Sequence, residues 1–128
     1  MNKTILLTGI LFGATAVMLG AFGAHGLEKI VPIDAISTFE TGVRYQMYHA
    51  FLLLILGGIP KIDGKAKKWV FYLITTGVIL FSFSIYLLAL NSLTDFDFKV
   101  IGFVTPIGGL LLILGWMVFG YRIFKQFS

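Results

Sequence analysis

No cysteine occurs in the 128 residues, which excludes a disulfide framework, a thiolate nucleophile and a thiolate metal site. Charge is almost as scarce. Asp, Glu, Lys and Arg make up 12% of the chain, about half of the roughly 25% carried by a soluble globular domain. The six acids, Glu28, Asp34, Glu40, Asp63, Asp95 and Asp97, all lie outside the long apolar runs, so no pair of intramembrane carboxylates is on offer. Only two histidines occur, His25 and His49, in no HxxxH or HExxH spacing, and no serine sits in a nucleophile motif. Neither a metal nor a cofactor is called for, and catalysis would have to rest on the two imidazoles as acid and base.

What fills the chain instead is apolar. Hydrophobic residues make up 58% and mean hydropathy is +0.94. A spanning helix needs about 20 mainly apolar residues, and four stretches qualify, at about residues 5–25, 43–59, 69–90 and 100–121. The expected fold is an all-α integral membrane protein of one four-helix domain, residues 1–128. The N-terminal run is longer than a signal-peptide core and lacks a clean A-x-A site, so it reads as a retained helix. The net charge of +4 is spread over loops rather than gathered on a nucleic-acid-binding face, so no nucleic acid is expected.

Counting Lys and Arg by side gives the orientation. Lys3, Lys61, Lys65, Lys67, Lys68, Arg122 and Lys125 share one side, whereas Lys29, Arg44 and Lys99 share the other. Both termini are therefore expected in the cytoplasm of a cell with a multi-pass plasma-membrane protein. Five acids, including Asp95, fall on the outer side.

Small residues at Gly9, Gly13, Ala16, Gly20 and Ala24, with Gly23 beside them, line one face of the first span. That face is expected to pack on another helix of the chain or on a second copy in a homo-oligomer. Between the first two spans, Ile33, Ile36, Phe39 and Val43 recur at helical spacing, which predicts an interfacial amphipathic helix over about 32–42, with Gly42 bending it into the second span. Pro106 is expected to kink the fourth span, with Gly108 and Gly109 admitting a neighbour. Trp69, Trp116 and Tyr121 read as anchors at the cytoplasmic headgroup level, beside lysines that meet anionic membrane lipid.

The topology gathers polar residues toward the outer leaflet: His25 ends the first span, Arg44, Tyr45, Gln46 and His49 open the second, and Ser82, Ser84 and Tyr86 lie in the third, with Thr105 in the fourth. Unpaired polar groups in hydrocarbon are costly, so these side chains are expected to turn inward. The expected cluster is His25, Arg44, Tyr45, Gln46, His49, Ser84 and Tyr86. It either fixes helix register or holds a small ligand or lipid.

The stretches "GAFGAHGL", "TGVRYQMYHA", "LFSFSIYLLAL" and "TPIGGLLLILGW" resemble, in order and over nearly the whole chain, the small bacterial membrane proteins grouped as domain of unknown function 423. These are the YgdD/YwdK-like proteins, similar to eukaryotic transmembrane protein 256. The resemblance implies a four-helix inner-membrane protein without an established activity. Its motif positions are Gly20, Phe22, Gly23, Ala24, His25, Gly26, Tyr45, Gln46, His49, Ser84, Tyr86, Pro106, Gly108, Gly109, Gly115 and Trp116. The expected role is structural or accessory, or small-ligand or lipid binding. A transporter or channel subunit is the alternative, and a histidine-dependent membrane enzyme the third reading.

Overall fold

A computed structural model of the chain describes residues 2–94 and 97–127; Asp95, assigned above to the outer side, lies outside them. Among the described residues the fold is entirely helical, with four helices. The first is α1 (Asn2–His25) and the second α2 (Ile33–Gly58). The third is one rod made of α3 (Gly64–Val78), a π-helical segment (Ile79–Phe83) and α4 (Ser84–Ala89). The fourth is α5 (Val104–Gln126), and short 3-10 turns fill the connections.

Three of these, α1, the α3–α4 rod and α5, are each long and apolar enough to cross a membrane together with their adjoining turns. Large apolar side chains such as Leu11, Val17, Met18, Ile113 and Met117 remain exposed on them, as a lipid-facing surface requires. The chain is a membrane protein. Asp34, Glu40 and Arg44 dilute the first half of α2, which is absent from that apolar set.

Where an interfacial helix over 32–42 was expected, the structure has the first part of α2, continuous to Gly58 and about 39 Å long at 1.5 Å per residue. The helix runs through Gly42 without a break. A Cβ there would lie 2.6 Å from Tyr86 Cε1, so this glycine exists to seat the Tyr86 ring on α2. Phe39 is buried beside it, with its ring 5.1 Å from that of Tyr86.

Apolar contact alone gives helices in lipid little reason to associate, because lipid tails are as apolar as leucine; close backbone approach and interhelical hydrogen bonds do that work. Glycines supply the approach. Along α1, a Cβ on Gly9 would stand 3.0 Å from the Ala50 carbonyl oxygen, one on Gly20 3.6 Å from Val43 and one on Gly23 3.1 Å from Phe39. The partner of the small-residue face is thus α2 of the same chain. Ala24, expected on that face, is exposed.

Glycines also join α3 to α5: Gly77 sits against Leu112, Gly115 against Ile74, and Gly108 against the backbone at Leu80 and Phe81 inside the π segment. Gly109, by contrast, keeps ordinary distance from the Phe81 ring. Pro106 takes no intrahelical hydrogen bond from α5. As the third residue of α5 it stands in the first turn, where backbone N–H groups have no intrahelical acceptor to lose.

Hydrogen bonds place three helix ends together. Lys67 Nζ donates to Asn2 Oδ1 at 3.1 Å, Gln126 Nε2 donates to Asp63 Oδ2 at 2.6 Å, and the Asp63 amide donates to Gln126 Oε1 at 3.2 Å. The start of α1, the start of α3 and the end of α5 therefore share one end of the bundle. Asp63 also caps α3 by accepting from the Ala66 amide at 2.8 Å.

Two outcomes follow from this packing. Gly108→Ala or Gly42→Ala should destabilise the protein by about 1–3 kcal/mol, the usual cost of overpacking, in unfolding titrations in detergent. Gly120→Ala, with nothing within 4 Å of its Cβ position, should not. Separately, hydrogen bonds from the Ala66 amide and then Gln126 hold the Asp63 carboxyl below its ordinary value of 3.8. Its folded pKa is the depressed one, so the cap stabilises the fold above about pH 3.8 and is lost as pH falls through the folded value. Amide exchange in the first turn of α3 should accelerate in that acid window, and Asp63→Ala should abolish the pH dependence.

Candidate functional site

Gln46 lies thirteen residues from Ile33 and twelve from Gly58, at the middle of α2, and is fully buried at 0% exposure. Its Nε2 donates to the Phe12 carbonyl at 2.8 Å and to Thr15 Oγ1 at 2.7 Å. Its Oε1 accepts from the Tyr86 hydroxyl at 2.6 Å. One primary amide has two N–H donors and an acceptor oxygen, and here all three functions are used. Thr15 passes its own proton to the Leu11 carbonyl at 2.8 Å, leaving its oxygen free to accept. A single side chain of α2 thereby ties α1 to α4.

One turn further along α2 is His49, 3% exposed. Its Nδ1 stands 2.6 Å from the Tyr45 carbonyl, and its Nε2 is 3.0 Å from Trp116 Nε1. A carbonyl only accepts and an indole N–H only donates. The ring is therefore the neutral tautomer with its proton on Nδ1, donating to Tyr45 and accepting from Trp116. Both nitrogens are committed, so this imidazole cannot take a metal or abstract a proton without releasing α5.

Hydroxyls complete the belt around the π segment. Ser82 Oγ donates to the Gly42 carbonyl at 2.8 Å. Ser84 Oγ donates to the Phe81 carbonyl at 2.9 Å, and its oxygen lies 2.6 Å from Thr105 Oγ1. With the one Ser84 proton already given to Phe81, Thr105 is the donor of that pair.

Part of this belt lies deeper along the helices than the expected outer layer. Thr15 stands thirteen residues from Asn2 and ten from His25, and Trp116 twelve from Val104 and ten from Gln126. Thr15, Gln46, His49 and Trp116 thus lie near the middle of their helices, and Trp116 belongs to the belt, whereas Ser84 and Tyr86 stand five and three residues from the end of α4 at Ala89 and Thr105 is the second residue of α5. Trp69 and Tyr121 do lie near the lysine-rich end, exposed.

Of the expected cluster, Gln46, His49, Ser84 and Tyr86 are inside the belt. Tyr45 contributes its backbone carbonyl, while its ring, 39% exposed, packs 5.0 Å from Phe81. Arg44 is exposed and donates to Thr41 Oγ1 at 3.2 Å within its own helix. His25 is exposed at the end of α1 and makes no side-chain hydrogen bond among the described residues. Thr15 and Trp116 were missing from the cluster; each is a lone polar group in an otherwise apolar stretch, and only its opposite number on another helix reveals its use.

Beside the belt, Tyr45, His49, Phe81, Gly109, Leu112 and Trp116 line much of an open groove of about 370 Å³ between α2 and α5. Among the described residues, no three His, Asp or Glu side chains are grouped so as to hold a metal ion.

The family described as "Protein of unknown function (DUF423)" matches residues 19–109. The chain belongs to this family. It is 41% identical over 123 residues to a UPF0382 membrane protein of Staphylococcus aureus (strain bovine RF122 / ET3-1), covering 96% of this chain and 97% of the relative. A UPF0382 membrane protein of Staphylococcus saprophyticus is 40% identical over 123 residues, covering 96% and 98%, and one of Staphylococcus haemolyticus is 40% identical over 123 residues, covering 96% and 97%. No solved structure matches. The DUF423 match takes in Gln46, His49, Ser84, Tyr86 and Thr105 of the belt, and Thr15 and Trp116 fall outside it.

The belt makes a measurable claim. Interhelical hydrogen bonds in membrane proteins contribute about 0.6 kcal/mol on average and up to about 1.7. Tyr86→Phe should destabilise by about that amount, and Gln46→Leu by more because it strands Thr15 and Tyr86 as well. In a double-mutant cycle the two effects should fall short of additivity by about the worth of the Tyr86–Gln46 bond.

Proposed function

We propose that this DUF423 protein crosses the plasma membrane four times with both termini in the cytoplasm, and serves there as a non-catalytic structural or accessory component. The pairing within the belt is the observation that carries this reading. Gln46, Tyr86, His49, Trp116, Ser82, Ser84 and Thr105 each find a partner inside the chain. A transporter or channel needs polar groups free to exchange partners with a passing solute, and a histidine enzyme needs a free ring nitrogen. A closed network favours a register lock instead.

Two features support the fourth crossing. The length of α2 matches that of α1, and α1 lies against it from Gly9 to Gly23. Seven of the ten basic residues gather at the end that holds both termini, the distribution expected of a cytoplasmic face.

Because the chain has no cysteine, single-cysteine variants test the topology cleanly. Ser92→Cys should react with an impermeant maleimide on intact cells, and Lys61→Cys only after permeabilisation; the opposite pattern overturns the orientation. The role is tested by His49→Ala. A lower melting temperature in detergent, without loss of any co-purifying molecule or solute flux in proteoliposomes, supports the structural reading. Unchanged stability with lost binding or flux overturns it.

A further inference from the structure

Lys65, Lys68, Trp69 and Tyr72 recur at i, i+3, i+4 and i+7 on α3 and so share one face. They line a notch of about 250 Å³, on the side away from the buried Ala66, Val70 and Ile74. The notch begins at the second residue of α3, at the end of the bundle where Asn2 and Gln126 lie.

The chemistry of this notch is cationic and unspent. Lys65 and Lys68 are exposed, and among the described residues neither pairs with a carboxylate. The one acid at this end, Asp63, is already engaged by the Ala66 amide and the Gln126 side chain. Lys68 Nζ stands 5.9 Å from the Tyr72 ring centroid, a cation–π contact that holds the ammonium over the notch wall. The Trp69 indole N–H and the Tyr72 hydroxyl make no hydrogen bond among the described residues. Behind the notch, Lys67 is 2% exposed and donates to the Asn2 amide oxygen. Lys3, Lys61, Arg122 and Lys125 belong to the same end of the bundle.

We propose that this notch is a binding site for one anionic glycerophospholipid, with its phosphate between Lys65 and Lys68 and its ester region against Trp69 and Tyr72. The charge selects an anion. The exposed indole and phenol, amphipathic rings suited to the headgroup level, select one attached to an acyl chain over a free ion. The site requires this end of the bundle to lie at a membrane surface, whichever side that is, and is independent of the belt.

The test is native mass spectrometry of delipidated protein in detergent, titrated with phosphatidylglycerol or phosphatidylcholine of matched chains. Wild type should retain one phosphatidylglycerol in preference to phosphatidylcholine. Lys65→Gln with Lys68→Gln should weaken phosphatidylglycerol about 10- to 30-fold, the order expected for two membrane-proximal cations, with the melting temperature unchanged. Lys61→Gln with Lys125→Gln, at the same end but outside the notch, should weaken it less than about threefold. Equal loss in both pairs, no preference between lipids, or displacement of the lipid by equimolar inorganic phosphate would each overturn the proposal. Because binding is read in detergent, its failure is separate from failure of the topology.

Discussion

The amide of Gln46 is the interaction on which the arrangement of this bundle depends. Among the described residues it is the one side chain whose hydrogen bonds reach two other helices at once, and at 0% exposure its three hydrogen-bonding functions have no water to fall back on. Moving α1 or α4 by one turn relative to α2 would strand Thr15, Phe12 or Tyr86 along with it. The individual bonds are modest in free energy, as such bonds in membranes are. Their value lies in discrimination among registers that apolar packing alone would leave nearly equivalent.

Glycine and polar contacts divide the labour. Gly42 admits the Tyr86 ring, and that close seat carries the hydroxyl to Gln46. Gly108 lets α5 lie on the backbone of the π segment, which brings Thr105 to Ser84 and keeps Trp116 within reach of His49. Approach comes first, and the hydrogen bonds then fix what approach permits. His49 shows the reciprocal constraint, because the Tyr45 carbonyl at one nitrogen dictates that the other must accept.

Much of this was legible in the sequence because its causes are local or compositional. Hydropathy gave the helices, spacing gave the small-residue face of α1, and the cost of unpaired polar groups in lipid pointed to Gln46, His49, Ser84 and Tyr86. What was not legible depends on register between distant segments. Antiparallel packing of α1 on α2 sets Gln46 opposite Thr15, 31 positions away, and no periodicity within either segment encodes that. The same contact carries the Gln46 part of the belt to the middle of the bundle and leaves His25 outside. Gly42 was read as a bend because a glycine in a helix has two uses, and only the presence of Tyr86 across from it decides between them.

Both neighbours of the third rod meet at its π segment, where Gly108 of α5 lies on Leu80 and Phe81 and Ser82 donates to the Gly42 carbonyl of α2. A π turn holds one residue more than an α turn, so whatever follows is offset in phase by roughly 100° about the axis. Twelve residues of α-helix would turn Tyr86 about 120° away from Ile74; the offset brings the two to within roughly 20° of each other, on one side of the rod. The inserted residue works as a phase correction: it keeps one side of the rod turned inward, to α5 at Ile74 and to α2 at Tyr86.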